Sequence, residues 1–188
     1  PSMPRPQWLI YSGLLSGSQC DALCAHSSLQ QEKKATVFYN AGLKTDDSVR
    51  KTKIRWVNPH KVTDPLFDLL YRLARETNQG FRVDWDYLPP LQYAEYNVGD
   101  HYGWHHDVNL NSQTDRTRKL SVVVQLSEPE DYEGGSFEFR FTENPHTIAL
   151  KKRGTILLFN PLQEHRVTEV TSGTRRSLVG WFEGPAWR

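Results

Sequence analysis

The sequence predicts an all-β core with helices packed against one face, and three observations carry that expectation. Two segments of helical periodicity lie in the first half of the chain, from Ser16 to Lys34 and from Thr63 to Gly80. From Leu91 onward the texture changes to short β-rich runs separated by turn residues. Helices come early and strands late rather than in βαβ alternation, which argues against a parallel doubly wound sheet and for an antiparallel sandwich or barrel.

The elements follow in chain order. Ser16 and Gly17 can cap a helix, after which Ala22, Leu23, Ala25 and Leu29 recur at near-helical spacing. Val37 to Tyr39 and Ile54 to Val57 read as strands, and the polar stretch between them, Asn40 to Lys53, reads as a mobile loop. Thr63 and Asp64 offer an N-cap and Pro65 suits a first turn. Leu66, Leu69, Leu70 and Leu73 then mark one helix face, and Asn78, Gln79 and Gly80 stop it. The later strands are expected at Gln92 to Asn97, Lys119 to Leu126, Ser136 to Phe141, Thr147 to Leu150, Thr155 to Phe159, His165 to Val170 and Ser177 to Trp181. Gly134, Gly135 and Gly154 sit where tight connections need positive φ.

The 188 residues fit one domain spanning 1–188, with 3–90 as helical and strand support and 91–188 as the β core. Pro1 and Ser2, ahead of the single methionine Met3, look like a cleavage scar. Twenty-three basic against 22 acidic side chains leave a formal charge of +1, so no global field selects nucleic acid. No stretch approaches the ~18 apolar residues of a membrane span, so no membrane partner is expected. Cys20 and Cys24 lie four apart on one helical face, a poor arrangement for a disulfide, so free thiols in a reducing, cytoplasmic setting are expected.

The chemistry is concentrated late in the chain. His105 and Asp107 are two residues apart, a spacing that points both side chains to one face of a strand. That spacing alone is weak, since seven His and eleven Asp predict about 0.4 chance occurrences of His-x-Asp. His165 is the candidate third ligand, because it follows an apolar strand and a turn and opens another β run. Two imidazoles and one carboxylate on one face leave open positions, the arrangement that suits Fe(II) handling O2 and a bidentate co-substrate. The plainer alternative is three histidine and aspartate side chains bonded to backbone; His26, His60, His101, His106 and His146 are read that way. A co-substrate dicarboxylate bound at iron still needs a cation for its far end. Arg175, ten residues after His165, is placed to give two parallel charge-assisted bonds. Arg176, on the opposite strand face, is read as a solvated charge.

At this point a resemblance enters. The pattern Tyr96-x-x-Gly99-x-x-Tyr102-x-x-His105-x-Asp107, then Arg118-Lys119-Leu120-Ser121, Tyr132-Glu133-Gly134-Gly135, Gly154-Thr155 and His165 with Arg175 resembles the prolyl 4-hydroxylase-like Fe(II)/2-oxoglutarate-dependent dioxygenases. It covers Leu91 to Phe182 strongly and Arg50 to Trp56 more loosely. The resemblance implies a double-stranded β-helix, or jelly roll, packed against N-terminal helices. It implies Fe(2+), 2-oxoglutarate and O2, with ascorbate as a further candidate, and formation of succinate and CO2. It implies His105, Asp107 and His165 as iron ligands, Arg175 as partner of the distal carboxylate, and Tyr96 as a co-substrate contact. Arg118 and Trp181 match positions that meet a protein or peptide substrate containing proline. One position departs: where several relatives carry a second tyrosine this chain has Gln125, which can still donate to the carboxylate.

Rival readings stay open. Within the same chemistry the target could be another peptidyl side chain or a free amino acid. A nucleic-acid demethylase of the same superfamily would carry a second Arg where this chain has Trp181. A cupin-like metal- or sugar-binding module would share the architecture without catalysis. A closed zinc site would want a fourth ligand, and neither cysteine lies near a His in sequence.

Overall fold

The computed structural model describes residues 4–39, 42–108 and 114–187. In chain order the elements are β1 (Trp8–Tyr11), α1 (Gly17–Ser28), β2 (Glu32–Lys34), β3 (Val37–Tyr39), β4 (Gly42–Lys44), β5 (Arg50–Lys51), β6 (Lys53–Val57) and α2 (Asp64–Phe81). There follow β7 (Leu91–Tyr96), β8 (His101–His105), β9 (Arg116–Gln125), β10 (Tyr132–Gly134), β11 (Phe137–Phe139), α3 (Thr147–Lys151), β12 (Ile156–Phe159), β13 (His165–Val167), β14 (Val170–Gly173) and β15 (Arg175–Pro185).

Among the described residues, a large antiparallel sheet runs in the order β1-β12-β9-β15-β7-β6-β2 and a smaller one in the order β11-β13-β8-β5. Side-chain alternation along the central strands gives the large sheet two unlike faces. Leu91 and Tyr93 of β7, Leu120, Val122 and Val124 of β9, and Leu178 and Phe182 of β15 point to one side. There they pack with Cys20 and Leu23 of α1 and Leu66, Leu70, Leu73 and Ala74 of α2. Each fully buried leucine contributes about 1.5–3 kcal/mol of burial, so the helix pair holds this face closed. The alternate residues, Ala94, Tyr96, Val123, Leu157 and Phe159, face the smaller sheet and pack against its Phe137, Phe139 and Val167.

The helices form for local reasons. Ser16 caps α1 in a capping box with Gln19, each side chain bonding the other's backbone N–H. The buried face of α1 is Cys20, Leu23 and Ser27, while Leu29 is exposed. α2 begins with Pro65 in its first turn and runs to Phe81, ending at Arg82 with φ +53°. Asn78 turns back to bond both the N–H and the carbonyl of Val83, which seals the exit from the helix.

Several expectations are corrected. The first helix stops at Ser28 rather than Lys34, because residues 32–34 pair with β6 as the edge strand β2, supported by the Arg55–Glu32 ion pair at 3.2 Å. The stretch expected as a loop contains β4, which pairs with β3, and β5, which joins the smaller sheet beside β8. Asn40 and Ala41 lie outside the described residues. Thr147 to Leu150 is helix α3 rather than a strand, since the His146 ring accepts from the Ile148 N–H and the Leu150 N–H closes a turn onto the His146 carbonyl. The segment before Leu91 also does more than support the core, because β1, β2, β5 and β6 are members of the two sheets. Gly134 and Gly154 do adopt positive φ, +70° and +82°, and a Cβ there would meet the Glu169 and Leu15 carbonyl oxygens at 2.2 and 2.1 Å.

Candidate active site

The space between the two sheets is a cavity of about 130 Å³, lined among others by His105, Asp107, His165, Arg118, Arg175 and Trp181. His165 opens β13 and stands in register opposite His105, the last residue of β8, so adjacent strands deliver the two imidazoles side by side. β8 ends at His105, and Asp107 lies in the bend beyond it rather than on the strand. Its N–H is taken by the Pro161 carbonyl at 2.8 Å, which turns the carboxylate back toward the histidines. Asp107 Oδ1 lies 3.5 Å from His105 Nε2 and 3.3 Å from His165 Nε2. One donor atom from each of the three residues falls within 4.8 Å of the others, and this is the one such His, Cys, Asp or Glu group among the described residues.

The surroundings prepare these atoms as ligands. His105 Nδ1 is 2.7 Å from the Gly103 carbonyl and His165 Nδ1 is 2.9 Å from the Gln163 carbonyl. A carbonyl only accepts, so each Nδ1 carries the proton and each Nε2 turns a lone pair inward. Ser121 Oγ donates to Asp107 Oδ2 at 2.7 Å and leaves Oδ1 facing the shared centre. Burial works against the Asp107 charge, but the two imidazoles outweigh it and hold the carboxyl well below the usual range. Burial likewise disfavours the His165 cation, yet Asp107 wins and raises it; at His105 burial wins and lowers it. Tyr102 stacks on the His105 ring at 3.5 Å and 11°, and Phe137 stacks on His165 at 5.3 Å and 24°.

Arg175 sits on β15 opposite Tyr96 of β7 and is 4% exposed. Among the described residues its guanidinium has neither a hydrogen bond nor an ion pair; its Cζ lies 5.7 Å from the Tyr96 ring centroid. A buried cation without a counter-charge is costly, so a site of this kind is built for an anion. Arg176, its neighbour, points the other way, to Glu95 at 3.6 Å. Arg118 lies 3.7 Å over the Trp181 ring and donates to the Asp107 carbonyl at 3.3 Å, so this pair forms the wall beside the three ligand atoms. The Trp181 indole N–H is buried with no acceptor among the described residues. Gln125 is on the same face of β9 but does not line this cavity. It lines the neighbouring one and donates to the Tyr132 hydroxyl at 3.0 Å. His106 lines the cavity, while His26 stacks with His60 at 4.5 Å, far from this chemistry in the fold.

Sequence reasoning did not assign a role to Ser121 or Tyr102. The available signal was polarity at an inward position: Ser121 interrupts the apolar run Leu120 to Val124 of β9 and lies across from Trp181. The donor set suits Fe(II), with two neutral imidazoles and one carboxylate and no fourth ligand among the described residues, where Arg175, also unpaired, suits a dicarboxylate.

Comparison with known proteins agrees with this geometry. Residues 91–183 match the family model of the 2OG-Fe(II) oxygenase superfamily, and through this region the chain belongs to that superfamily. Membership implies Fe(II), 2-oxoglutarate and O2 as cofactor and co-substrates. The chain is 30% identical over 177 residues to a PKHD-type hydroxylase of Psychrobacter sp. (strain PRwf-1), covering 88% of this chain and 64% of that protein. It is 37% identical over 105 residues to a PKHD-type hydroxylase of Janthinobacterium sp. (strain Marseille), covering 52% of this chain and 44% of the relative. The chain thus spans less than two thirds of either relative's length. In structure it resembles a Pseudomonas putida prolyl-4-hydroxylase, with TM-score 0.75, 22% identity, and 96% and 94% of the two chains covered. The viral collagen prolyl hydroxylase of Paramecium Bursaria Chlorella virus-1 gives TM-score 0.74, 20% identity, and 95% and 97% coverage. The fold is therefore the double-stranded β-helix of the prolyl hydroxylases, with α1 and α2 behind its large sheet.

Proposed function

We propose that this chain is an Fe(II)- and 2-oxoglutarate-dependent dioxygenase that hydroxylates a prolyl residue of a protein or peptide and releases succinate and CO2. The observation that carries the reading is one cavity holding both a trio of converging ligand atoms and a buried, unpaired guanidinium. A metal- or sugar-binding module has no need of the second feature. In this reading His105, Asp107 and His165 hold Fe(II), Arg175 takes the distal carboxylate of 2-oxoglutarate beside Tyr96, and Gln125 acts from behind. Arg118 and Trp181 receive the substrate. Prolyl specificity is supported by the relatives named as PKHD-type hydroxylases and by the prolyl-4-hydroxylase neighbours.

With Fe(II), 2-oxoglutarate and O2 bound, the group supplies an oxidant able to hydroxylate an unactivated C–H bond. The protein's own part is positioning. The Gly103 and Gln163 carbonyls fix the imidazole tautomers, Ser121 fixes the carboxylate, and Arg175 neutralises and orients the diacid. The Trp181 face suits a pyrrolidine ring, and the Arg118 guanidinium suits a peptide carbonyl. A single domain throughout the chain and a cytoplasmic setting belong to the same proposal, the latter supported by the free thiols of Cys20 and Cys24. No helix among the described residues is long and apolar enough to cross a membrane.

The test is a panel of peptides and free amino acids with iron-loaded protein, read by mass and by succinate release. The expected result is a gain of one oxygen on a proline, matched by succinate and reduced in Arg118→Ala and Trp181→Ala. Oxygen gain on another side chain or on a free amino acid would keep the chemistry and remove the prolyl assignment. Absence of 2-oxoglutarate turnover with every peptide and every free amino acid would remove both.

A further inference from the structure

Behind Arg175 lies a second chamber of about 160 Å³, as roomy as the one holding the histidines. Val123, Phe137 and Arg175 line both, so the arginine stands in the partition between them. The far chamber is lined on one side by Thr147, Leu150 and Lys151 of α3, and its polar groups include Gln125 at 4% exposure, Thr155 at 1%, the Tyr132 hydroxyl and the Lys151 amine. Tyr132 and Arg175 flank the same backbone point, since a Cβ on Gly135 would lie 3.3 Å from Tyr132 Cδ2 and 3.4 Å from Arg175 Cδ. The Lys151 ammonium is 4.8 Å from the Tyr132 ring centre.

The hydrogen bonds in this chamber are incomplete in one direction. Gln125 Nε2 donates to the Tyr132 oxygen, so the phenol's own O–H still needs an acceptor, and none is present among the described residues. Thr155 is satisfied, accepting from the Gly13 N–H and donating to the Ala149 carbonyl. The one carboxylate in the lining, Glu138, is already held by Arg166 at 3.0 Å. What remains is a guanidinium, an ammonium and a phenol O–H with no anion between them. Such a set accepts a carboxylate.

We propose that this chamber is a second carboxylate pocket that extends the co-substrate site past Arg175, and that it lets the protein accept 2-oxo dicarboxylates longer than 2-oxoglutarate. The six-carbon diacid 2-oxoadipate keeps its 2-oxo acid end at the histidine trio and carries its distal carboxylate one methylene further, to Tyr132 and Lys151. Gln125 is the residue that permits this, because it holds the Tyr132 phenol in place while leaving the chamber open. The inference rests on the functional reading above, in which Arg175 faces the diacid.

The test is calorimetric titration of the full chain, loaded with Mn(II) so that no turnover occurs, with 2-oxoglutarate and with 2-oxoadipate. The proposal expects 2-oxoadipate to bind within about tenfold of 2-oxoglutarate. Tyr132→Phe and, separately, the peripheral Lys151→Met should each weaken 2-oxoadipate by roughly tenfold while leaving 2-oxoglutarate within about twofold. Arg175→Met should weaken both. Tight 2-oxoglutarate with 2-oxoadipate more than about a hundredfold weaker overturns the chamber's role and leaves the oxygenase reading intact. Equal loss of both acids in Tyr132→Phe and in Lys151→Met also overturns it. If neither acid binds, the oxygenase reading falls as well.

Discussion

The two faces of the large sheet are made by the same strands and serve opposite ends. Toward α1 and α2 the alternate residues of β7, β9, β12 and β15 are Leu, Val, Ile, Tyr and Phe, closed by helix leucines. Toward the smaller sheet the intervening positions include Gln92, Ser121, Gln125, Arg175 and Ser177, all buried. Among the described residues, Ser177 Oγ and the Trp181 N–H have no partner, and Arg175 forms no ion pair. The first face gains free energy from every residue it buries. The second also buries an apolar cluster, but it carries in addition polar groups such as Arg175 whose burial a ligand would relieve, so the chemistry is confined to one face by the period-two alternation of a strand.

That separation can be broken by substitution, and the largest effect should fall on the helix face. Phe182, fully buried against Tyr71 and Trp85, should cost about 3–5 kcal/mol as Phe182→Ala, read as a lower denaturation midpoint with or without metal. Arg175→Met probes the other face: co-substrate affinity should fall by about 2–4 kcal/mol. The metal-free protein should nonetheless become roughly 1–2 kcal/mol more stable, since an unpaired buried charge is gone. A destabilised Arg175→Met protein would mean that the arginine serves the fold after all. Ser121→Ala, which frees Asp107 Oδ2, should weaken metal binding by about 10- to 100-fold with little change in the melting temperature. The smallest effect is expected at the rim, where Arg118→Ala should raise the apparent KM for peptide by about tenfold and leave metal affinity unchanged.

The same alternation explains what could be read from the sequence. The apolar and polar residues of β7, β9, β12 and β15 obey a local rule, so those strands and the inward direction of Arg175 were legible. His105, Asp107 and His165 were found by spacing and order, and their atoms do converge. The reason differs in part, because Asp107 is aimed by the Pro161 carbonyl and not by a continuing strand. Elements fixed by distant partners were not legible. Glu32 to Lys34 followed a helical run and became a strand only because β6 offered an edge. Thr147 to Leu150 has strand-like composition, but the His146 cap starts a helical turn. Trp8 to Tyr11 pairs with residues about 150 positions later in the chain, a relation no local pattern reveals.

That last pairing matters beyond topology. β12 is the apolar run Ile156-Leu157-Leu158-Phe159, buried on both faces, and β1 covers its outer edge from Trp8↔Phe159 to Tyr11↔Ile156. Stripped of β1, that edge would present unpaired amide and carbonyl groups on a sticky, uncharged ribbon, a template for intermolecular strand addition. The first strand therefore acts as a guard against self-association, and trimming the protein ahead of Ser12 should be met with precipitation before any loss of chemistry is measured.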